Sequence, residues 1–167
     1  MKGYISILAV SFVTILALYI GKTSKTSKLK SYVELFNKSD NELYKQHIPN
    51  NKAFEFLSEN IPLIDIPDKD LEETYYFRWW TFRKHIKSTE DGFVITEFLP
   101  HVSWSMKHNT INCPAGHHIY EGRWIKDPKY ISEYIDFWLN KSGDGIRQYS
   151  FWVADATLAF HNIHRDD

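Results

Sequence analysis

Residues 108–124 form the segment with the densest set of side chains that could bind a ligand. Five of them are candidate substrate-binding residues: His117, His118, Glu121, Arg123 and Trp124. In a helix, His117, Glu121 and Trp124 occupy positions i, i+4 and i+7 and share one face, while His118 and Arg123 point elsewhere. The segment suits either a polar ligand site or a set of helix caps and buried hydrogen bonds.

A zinc site is a further alternative for this region. His117 with Glu121, or His161 with His164, has a spacing that zinc accepts, but the chain contains no H-E-x-x-H pattern. We therefore assign no metal ligand, and the sequence predicts no cofactor.

An aromatic run lies upstream, over residues 75–83. A helix through this run buries one face through Tyr75, Trp79 and Phe82 and places Tyr76 and Trp80 on a second stripe with Arg83. The second stripe is either buried as well or lines a carbohydrate cleft, because Trp and Tyr rings stack on the apolar faces of sugars.

Carboxylates complete the set of candidate ligand groups. Asp155 follows Trp152 in an otherwise apolar segment, where an unpaired carboxylate would be costly. It either pairs with a neighbour or faces a ligand. With Glu97 and Glu121 it is a candidate carbohydrate ligand, but nothing in the sequence nominates a catalytic acid and base, so the catalytic residues stay unassigned.

The elements that position these residues are predicted to be helices joined by short links. The predicted starts are Leu29, Ser39 (three residues before Glu42, a capping-box spacing), Asn51, Asp68, Ala115, Asp127 and Ser150. Residues 93–99 are the one strand-like run, closed by Pro100. The fold class is therefore all-α with one short extended segment.

The N-terminal residues are predicted to be a targeting segment. Lys2 precedes an apolar run over residues 4–20, which reaches roughly 25 Å as a helix and is short for a comfortable membrane span. We interpret residues 1–21 as a signal peptide or signal anchor. Residues 22–28 contain no apolar side chain and are predicted to be a flexible linker. The protein is then exported: periplasmic, at the cell surface, or attached to the membrane through residues 4–20.

Composition argues against a disulfide-stabilised protein and against a nucleic-acid-binding protein. A single cysteine rules out an internal disulfide. Five of the 20 Lys and Arg residues and none of the 21 acids lie in residues 1–30, so the remainder carries a net charge of −6. A body of that sign fits nucleic acid poorly, and no nucleic-acid partner is predicted.

Four segments, residues 75–83, 93–100, 109–124 and 149–156, together resemble the amino-terminal part of a known glycosidase family. It is the mannosylglycerate-hydrolase-like group of six-hairpin (α/α)6 toroid glycosidases, related to family 63 α-glucosidases and to trehalases. The resemblance implies that Asp155, near Trp152, holds the sugar in the first subsite. Relatives place Trp directly before that Asp, and here two residues intervene.

The resemblance also implies a partial (α/α) toroid of antiparallel helical hairpins. Residues 29–69 form an N-terminal helical lead-in, and residues 70–167 form an incomplete catalytic domain whose partner is the missing C-terminal half of the barrel. The predicted function is therefore an exported glycoside hydrolase fragment that binds carbohydrate and lacks the catalytic carboxylate pair. The alternatives are a non-catalytic carbohydrate-binding or interaction module and a small membrane-anchored helical envelope protein.

Overall fold

The computed structural model describes residues 24–150 and 152–165. The described α-helices are α1 (24–39), α2 (Asn50–Asn60), α3 (Lys69–His85), α4 (Ala115–Gly122), α5 (Lys129–Asp136) and α6 (Val153–His164). A hairpin of β1 (Ile86–Thr89) and β2 (Gly92–Ile95) follows α3. Short helical turns cover Lys107–Asn109, Phe137–Lys141 and Gly143–Arg147. The prediction of an all-α fold with one short extended segment is confirmed.

Helix α3 is the central element, and Asp68 begins it as predicted. The Asp68 side chain accepts hydrogen bonds from the backbone N–H groups of Asp70 and Leu71, satisfying two donors that the first turn leaves unpaired. Its last turn carries Arg83, Lys84 and His85, whose basic side chains suit the helix C-terminus. Rings of α1 contact one face of this helix, Arg78 on another face donates to Glu121 of α4, and the rings of Tyr76, Trp79, Trp80 and Phe82 are buried.

Helix α1 covers one of these faces. Tyr32 stacks on Tyr76 with ring centres 5.3 Å apart, and Phe36 lies 5.7 Å from Trp80. The helix includes residues 24–28, and Lys28 forms an ion pair with Asp65. This corrects the prediction of a flexible linker for residues 24–28, because anchoring lysines replace the apolar contacts that the segment lacks.

Residues 40–49 are irregular, which corrects the short helix predicted from Ser39. The Glu42 side chain instead accepts a 2.6 Å hydrogen bond from the backbone N–H of Asn50, the first residue of α2. The buried Arg83 donates to the side chain of Gln46 and the carbonyl of Ile48. The loop is thus held by hydrogen bonds from its two neighbours rather than by its own backbone.

The β-hairpin is shorter and earlier than predicted. Strand β2 covers only the start of the predicted strand 93–99, and it pairs with β1 in a register that joins Ile86 to Ile95. By its spacing Ile86 would continue the helical stripe of Tyr75, Trp79 and Phe82, but it is instead the first residue of β1. Glu133 of α5 accepts a hydrogen bond from the Phe93 N–H at 2.8 Å, which ties the hairpin to α5.

Helix α4 fits between three elements because glycines remove side chains at two contacts. A Cβ atom on Gly122 would lie 2.3 Å from Ile131 of α5, and one on Gly116 would lie 2.9 Å from the ring of Trp152. Asp127 caps the start of α5 by accepting from the N–H of Lys129, as the Asp-Pro pair predicted. Helix α6 begins at Val153 without a side-chain cap, so the cap predicted at Ser150 is wrong.

No helix in residues 24–150 or 152–165 is long and apolar enough to cross a membrane. The signal or anchor predicted over residues 1–21 lies outside the described residues.

Candidate functional site

A cleft of about 310 Å³ opens between α3, the segment that follows β2, and α4. Its lining comprises Phe77, Arg78, Thr81, Phe82, His85, Ile95, Thr96, Glu97, His118 and Glu121. The structure therefore brings Glu97, His118 and Glu121 of the predicted set to one place. We call it the central cleft.

Each wall of the central cleft is fixed by its own contacts. Glu97 lies two residues beyond β2, and its backbone N–H donates to the carbonyl of Asn109. His85 Nδ1 is 2.8 Å from the carbonyl oxygen of Thr96, which fixes the last turn of α3 to the same segment. On α4, His118 and Glu121 are three residues apart and so share a side of the helix.

The polar groups in the central cleft contact one another. Arg78 Nη2 donates to Glu121 Oε2 at 2.7 Å, which joins α3 to α4. His118 Nε2 lies 3.6 Å from Glu97 Oε2, and His118 Nδ1 lies 3.2 Å from the hydroxyl of Tyr134. These groups present donors and acceptors on both sides of a narrow opening.

Burial changes the protonation of this site. It lowers the pKa of His118 to about 4, with further lowering by His85, His117 and Arg78 nearby, and it raises the pKa of Glu97. The His118 imidazole is therefore neutral at neutral pH. Burial disfavours the charged form of both His118 and Glu97, so the contact between them is polar rather than an ion pair. A neutral imidazole both donates and accepts hydrogen bonds, as does a hydroxyl.

A second group of predicted residues lies where α4 meets α6, and we call it the α4–α6 cluster. It contains His117, Tyr120, Arg123, Trp124, Trp152 and Asp155. Trp152 is 40% exposed, with its ring centre 5.0 Å from that of Tyr120. Asp155 accepts a hydrogen bond from the Tyr120 hydroxyl, and the guanidinium of Arg123 lies 4.5 Å from the Tyr120 ring centre.

The α4–α6 cluster thus brings two predicted segments together. One contains residues 117–124, and the other contains Trp152 and Asp155. Asp155 is exposed, and within residues 24–150 and 152–165 its carboxylate pairs with the Tyr120 hydroxyl alone, which leaves acceptor sites for a ligand. Half-exposed rings beside an exposed carboxylate suit a polar ligand with apolar faces.

Two predicted residues are in the core. Tyr76 and Trp80 have exposed fractions of 0% and 4%. Tyr76 pairs with the backbone of Ile64 through both hydrogen-bonding directions, and Trp80 donates to Asn37. Both face α1 and its neighbours, so of the two interpretations of the second α3 stripe the buried helix is correct.

The sequence predicted only Glu97, His118 and Glu121 of the central cleft and missed the rest of its lining, including Phe77, Arg78 and His85. Phe77 and Arg78 lie within the aromatic run, but the helical stripes considered there pass on either side of them. Their spacing could have identified them, because Phe77, Arg78 and His85 lie on one face of α3, which differs from the two stripes considered in the sequence.

Metal-binding groups have other arrangements than the sequence suggested. Among the described residues, Glu90, Asp91 and His108 place three ligand atoms within 4.8 Å of one another. His108 Nε2 lies 2.6 Å from Asp91, and Lys107 pairs with the same carboxylate. The Lys107 ammonium already offsets the charge of the Asp91 carboxylate in this group.

Comparison with known proteins agrees with the family resemblance that the sequence predicted. Residues 107–167 match the family model of the mannosylglycerate hydrolase MGH1-like glycoside hydrolase domain. A solved structure titled "Sialidase" is similar to this chain with a TM-score of 0.77 and 46% identity. The match covers 81% of this chain and 13% of that one, so the chain spans about an eighth of the length of the solved relative. The search of curated proteins returned no match. These matches confirm the predicted resemblance to a partial toroid of the mannosylglycerate-hydrolase-like group.

Proposed function

We propose that this chain, whose residues 107–167 match the model of a glycoside hydrolase domain, supplies carbohydrate-binding elements of such a domain. The observation that carries the proposal is the convergence of Arg78, Glu97, His118 and Glu121 on the central cleft. Sugars bind through pairs of hydroxyls, which need a donor and an acceptor within reach of each other. This set of side chains offers both.

The shape of the central cleft supports a sugar as its occupant. Its volume is at the lower end for small-molecule sites, which suits one sugar unit rather than a long chain. Phe77 is 44% exposed on the same wall and offers a ring for stacking. The carboxylate of Glu121, held by Arg78, is positioned to accept from hydroxyl groups.

The α4–α6 cluster extends this surface. Trp152 offers a second exposed ring, and the exposed carboxylate of Asp155, which accepts from Tyr120, lies in the same cluster. We assign this cluster to a neighbouring sugar unit of the same ligand, in line with the role that the resemblance gives Asp155. Because α4 carries residues of both sites, one oligosaccharide could contact both faces.

The catalytic pair belongs, in this proposal, to parts of the domain outside these 167 residues. An inverting glycosidase needs two carboxyl groups about 6.5–9.5 Å apart on either side of the scissile bond. Both carboxylates of the central cleft have structural partners, Arg78 and His118. Export through residues 1–21 is part of the same proposal and rests on the apolar run alone.

Binding of free sugars to the 167-residue chain tests the proposal. Saturation-transfer NMR with mannose, glucose and a sialyl oligosaccharide measures whether any is bound, and the Glu97→Gln and Glu121→Gln variants should each weaken the signal. Glu34→Gln is the matched control, because it removes the same charge from an exposed position on α1. Equal binding by all variants, or no signal for any sugar, would refute the assignment of the central cleft.

Turnover tests the assignment of the catalytic pair. We expect the chain alone to hydrolyse neither aryl glycosides nor α-linked disaccharides. Hydrolysis that Glu121→Gln or Asp155→Asn abolishes would show that the catalytic groups are present here.

A further inference from the structure

A second depression in the surface lies beside the central cleft and is lined by lysines and histidines. Two hollows of about 120 Å³ and 420 Å³ share Lys87, Leu99 and Asn109, so they adjoin each other on the surface, and we treat them together as one groove. The charged and ring-nitrogen side chains that line it are Lys45, Lys84, Lys87, Lys107, His47, His101 and His108. No Asp or Glu is among the described residues that line either hollow. We call it the basic groove.

Two of its lysines are available to a ligand. Lys45 and Lys87 are exposed and have no ion pair within residues 24–150 and 152–165. Lys84 pairs with Asp40 at 2.7 Å, and Lys107 pairs with Asp91. The groove therefore holds two uncompensated positive charges, flanked by the exposed rings of His47 and His101, in a body with an excess of acids.

The basic groove and the central cleft are neighbours. Thr96 lines both, and Glu97 of the cleft and Phe98 of the groove follow it directly in the chain. The openings of the cleft and the groove are therefore separated by a single short segment of the chain. The two differ in charge, since the cleft contains Glu97 and the Arg78–Glu121 ion pair, whereas the groove is lined by lysines.

We propose that the basic groove binds the sulfate or carboxylate groups of an anionic polysaccharide whose neutral positions reach the central cleft. Lysine ammonium groups attract such anions, and screening at physiological salt limits the attraction to groups within roughly 8 Å. This inference deepens the proposed function by naming a class of glycan. It depends on different residues, so the two can fail separately.

Polysaccharide is favoured over nucleic acid by the surrounding charge. Residues 31–167 contain 21 acids and 15 bases, and two carboxylates, Glu97 and Glu121, form part of the wall of the neighbouring central cleft. A phosphate on every nucleotide would meet that wall, whereas a glycan can place uncharged units there. Affinity for DNA is therefore one outcome that the experiment must measure.

The experiment measures binding of the 167-residue chain to immobilised dextran sulfate, alginate, unmodified dextran and a short double-stranded DNA. Dextran sulfate and alginate separate sulfate from carboxylate recognition, and dextran tests the uncharged backbone. The Lys45→Gln/Lys87→Gln double variant is compared with a Lys30→Gln/Lys38→Gln double variant on α1, which removes the same total charge. At low salt we expect the groove variant to lose at least about tenfold in affinity for an anionic glycan, and the control less than about twofold.

Two results would overturn the proposal. Equal losses in the two double variants would mean that net charge alone governs binding, and equal or tighter binding of the DNA would mean that the groove does not select a glycan. The groove variant should keep its binding of free sugars in the central cleft. Loss of anionic-glycan binding without loss of free-sugar binding supports both assignments, whereas the failure of only one identifies which is wrong.

Discussion

Acidification should destabilise this protein through His118. Burial lowers the pKa of this side chain from 6.5 to about 4 in the folded state. As the pH falls below 6.5, the unfolded chain takes up a proton at this position while the folded chain does not. The contribution of His118 is therefore fully present above pH 6.5 and is lost as the pH falls towards 4.

The size of the effect follows from the two pKa values. Between pH 8 and pH 5, the linkage relation gives a loss of about 2 kcal/mol in the free energy of unfolding from His118 alone. Glu97 acts in the opposite direction, because its pKa is raised by burial and its protonation in acid relieves that cost. His85, whose pKa burial lowers, acts in the same direction as His118. The pH dependence of the free energy of unfolding therefore combines contributions from several titratable groups.

A difference between two proteins isolates the His118 contribution. Urea unfolding at pH 8 and pH 5 is measured for the wild type and for His118→Asn, whose amide can replace Nδ1 beside the Tyr134 hydroxyl. The wild type should lose about 2 kcal/mol more than the variant across this interval. An equal loss in both proteins, or an NMR titration of the His118 ring near pH 6.5, would refute the reasoning.

Three further outcomes are expected. A fusion of residues 1–30 to a reporter that is active only outside the cytoplasm should be active, and a soluble cytoplasmic product would contradict export. Gly122→Ala should lower the free energy of unfolding by about 1–3 kcal/mol, because its Cβ would meet the fully buried Ile131. Ser132→Ala, an exposed change on the neighbouring helix, should have little effect in the same urea experiment. Arg83→Met should cost about 3 kcal/mol, since buried acceptors lose their donor, and unchanged unfolding by urea would show that the buried guanidinium contributes nothing.

The starts of two helices could be predicted because they depend on local chemistry. Asp68 and Asp127 cap the helices that they precede, and each bonds to N–H groups within three residues. Glu42 shows the limit of the same rule. Its spacing from Ser39 suggests a capping box, but its carboxylate caps α2 eight residues later, because the intervening loop folds back.

Burial on α3 could not be predicted, because it depends on how many neighbours the helix has. The periodicity correctly placed Tyr76 and Trp80 on one stripe, but only the presence of α1 opposite that stripe makes it core. The strand β1 was missed for a similar reason. Ile86 continues the helical spacing, and its pairing with Ile95 is a tertiary choice.

The candidate site was predicted in its residue types but only partly in its grouping. Glu97, His118 and Glu121 meet in one cleft although the first is about twenty residues from the others. Trp152 and Asp155 lie instead with Tyr120 on the α6 side of α4. Which side of a short helix faces which neighbour is decided by close packing at Gly116 and Gly122, and spacing alone does not contain that information.

The hydrogen bond from Phe93 to Glu133 has a consequence for behaviour at high concentration. A two-stranded ribbon has two free edges, and an unpaired edge can recruit a strand of another molecule and start aggregation. On the outer side of β2, the side chain of Glu133 occupies an N–H that such a strand would need. On β1, the exposed Lys87 places a charge where a second strand would have to desolvate it. The ribbon is thus guarded against self-association on both edges, by a carboxylate on one side and an ammonium group on the other.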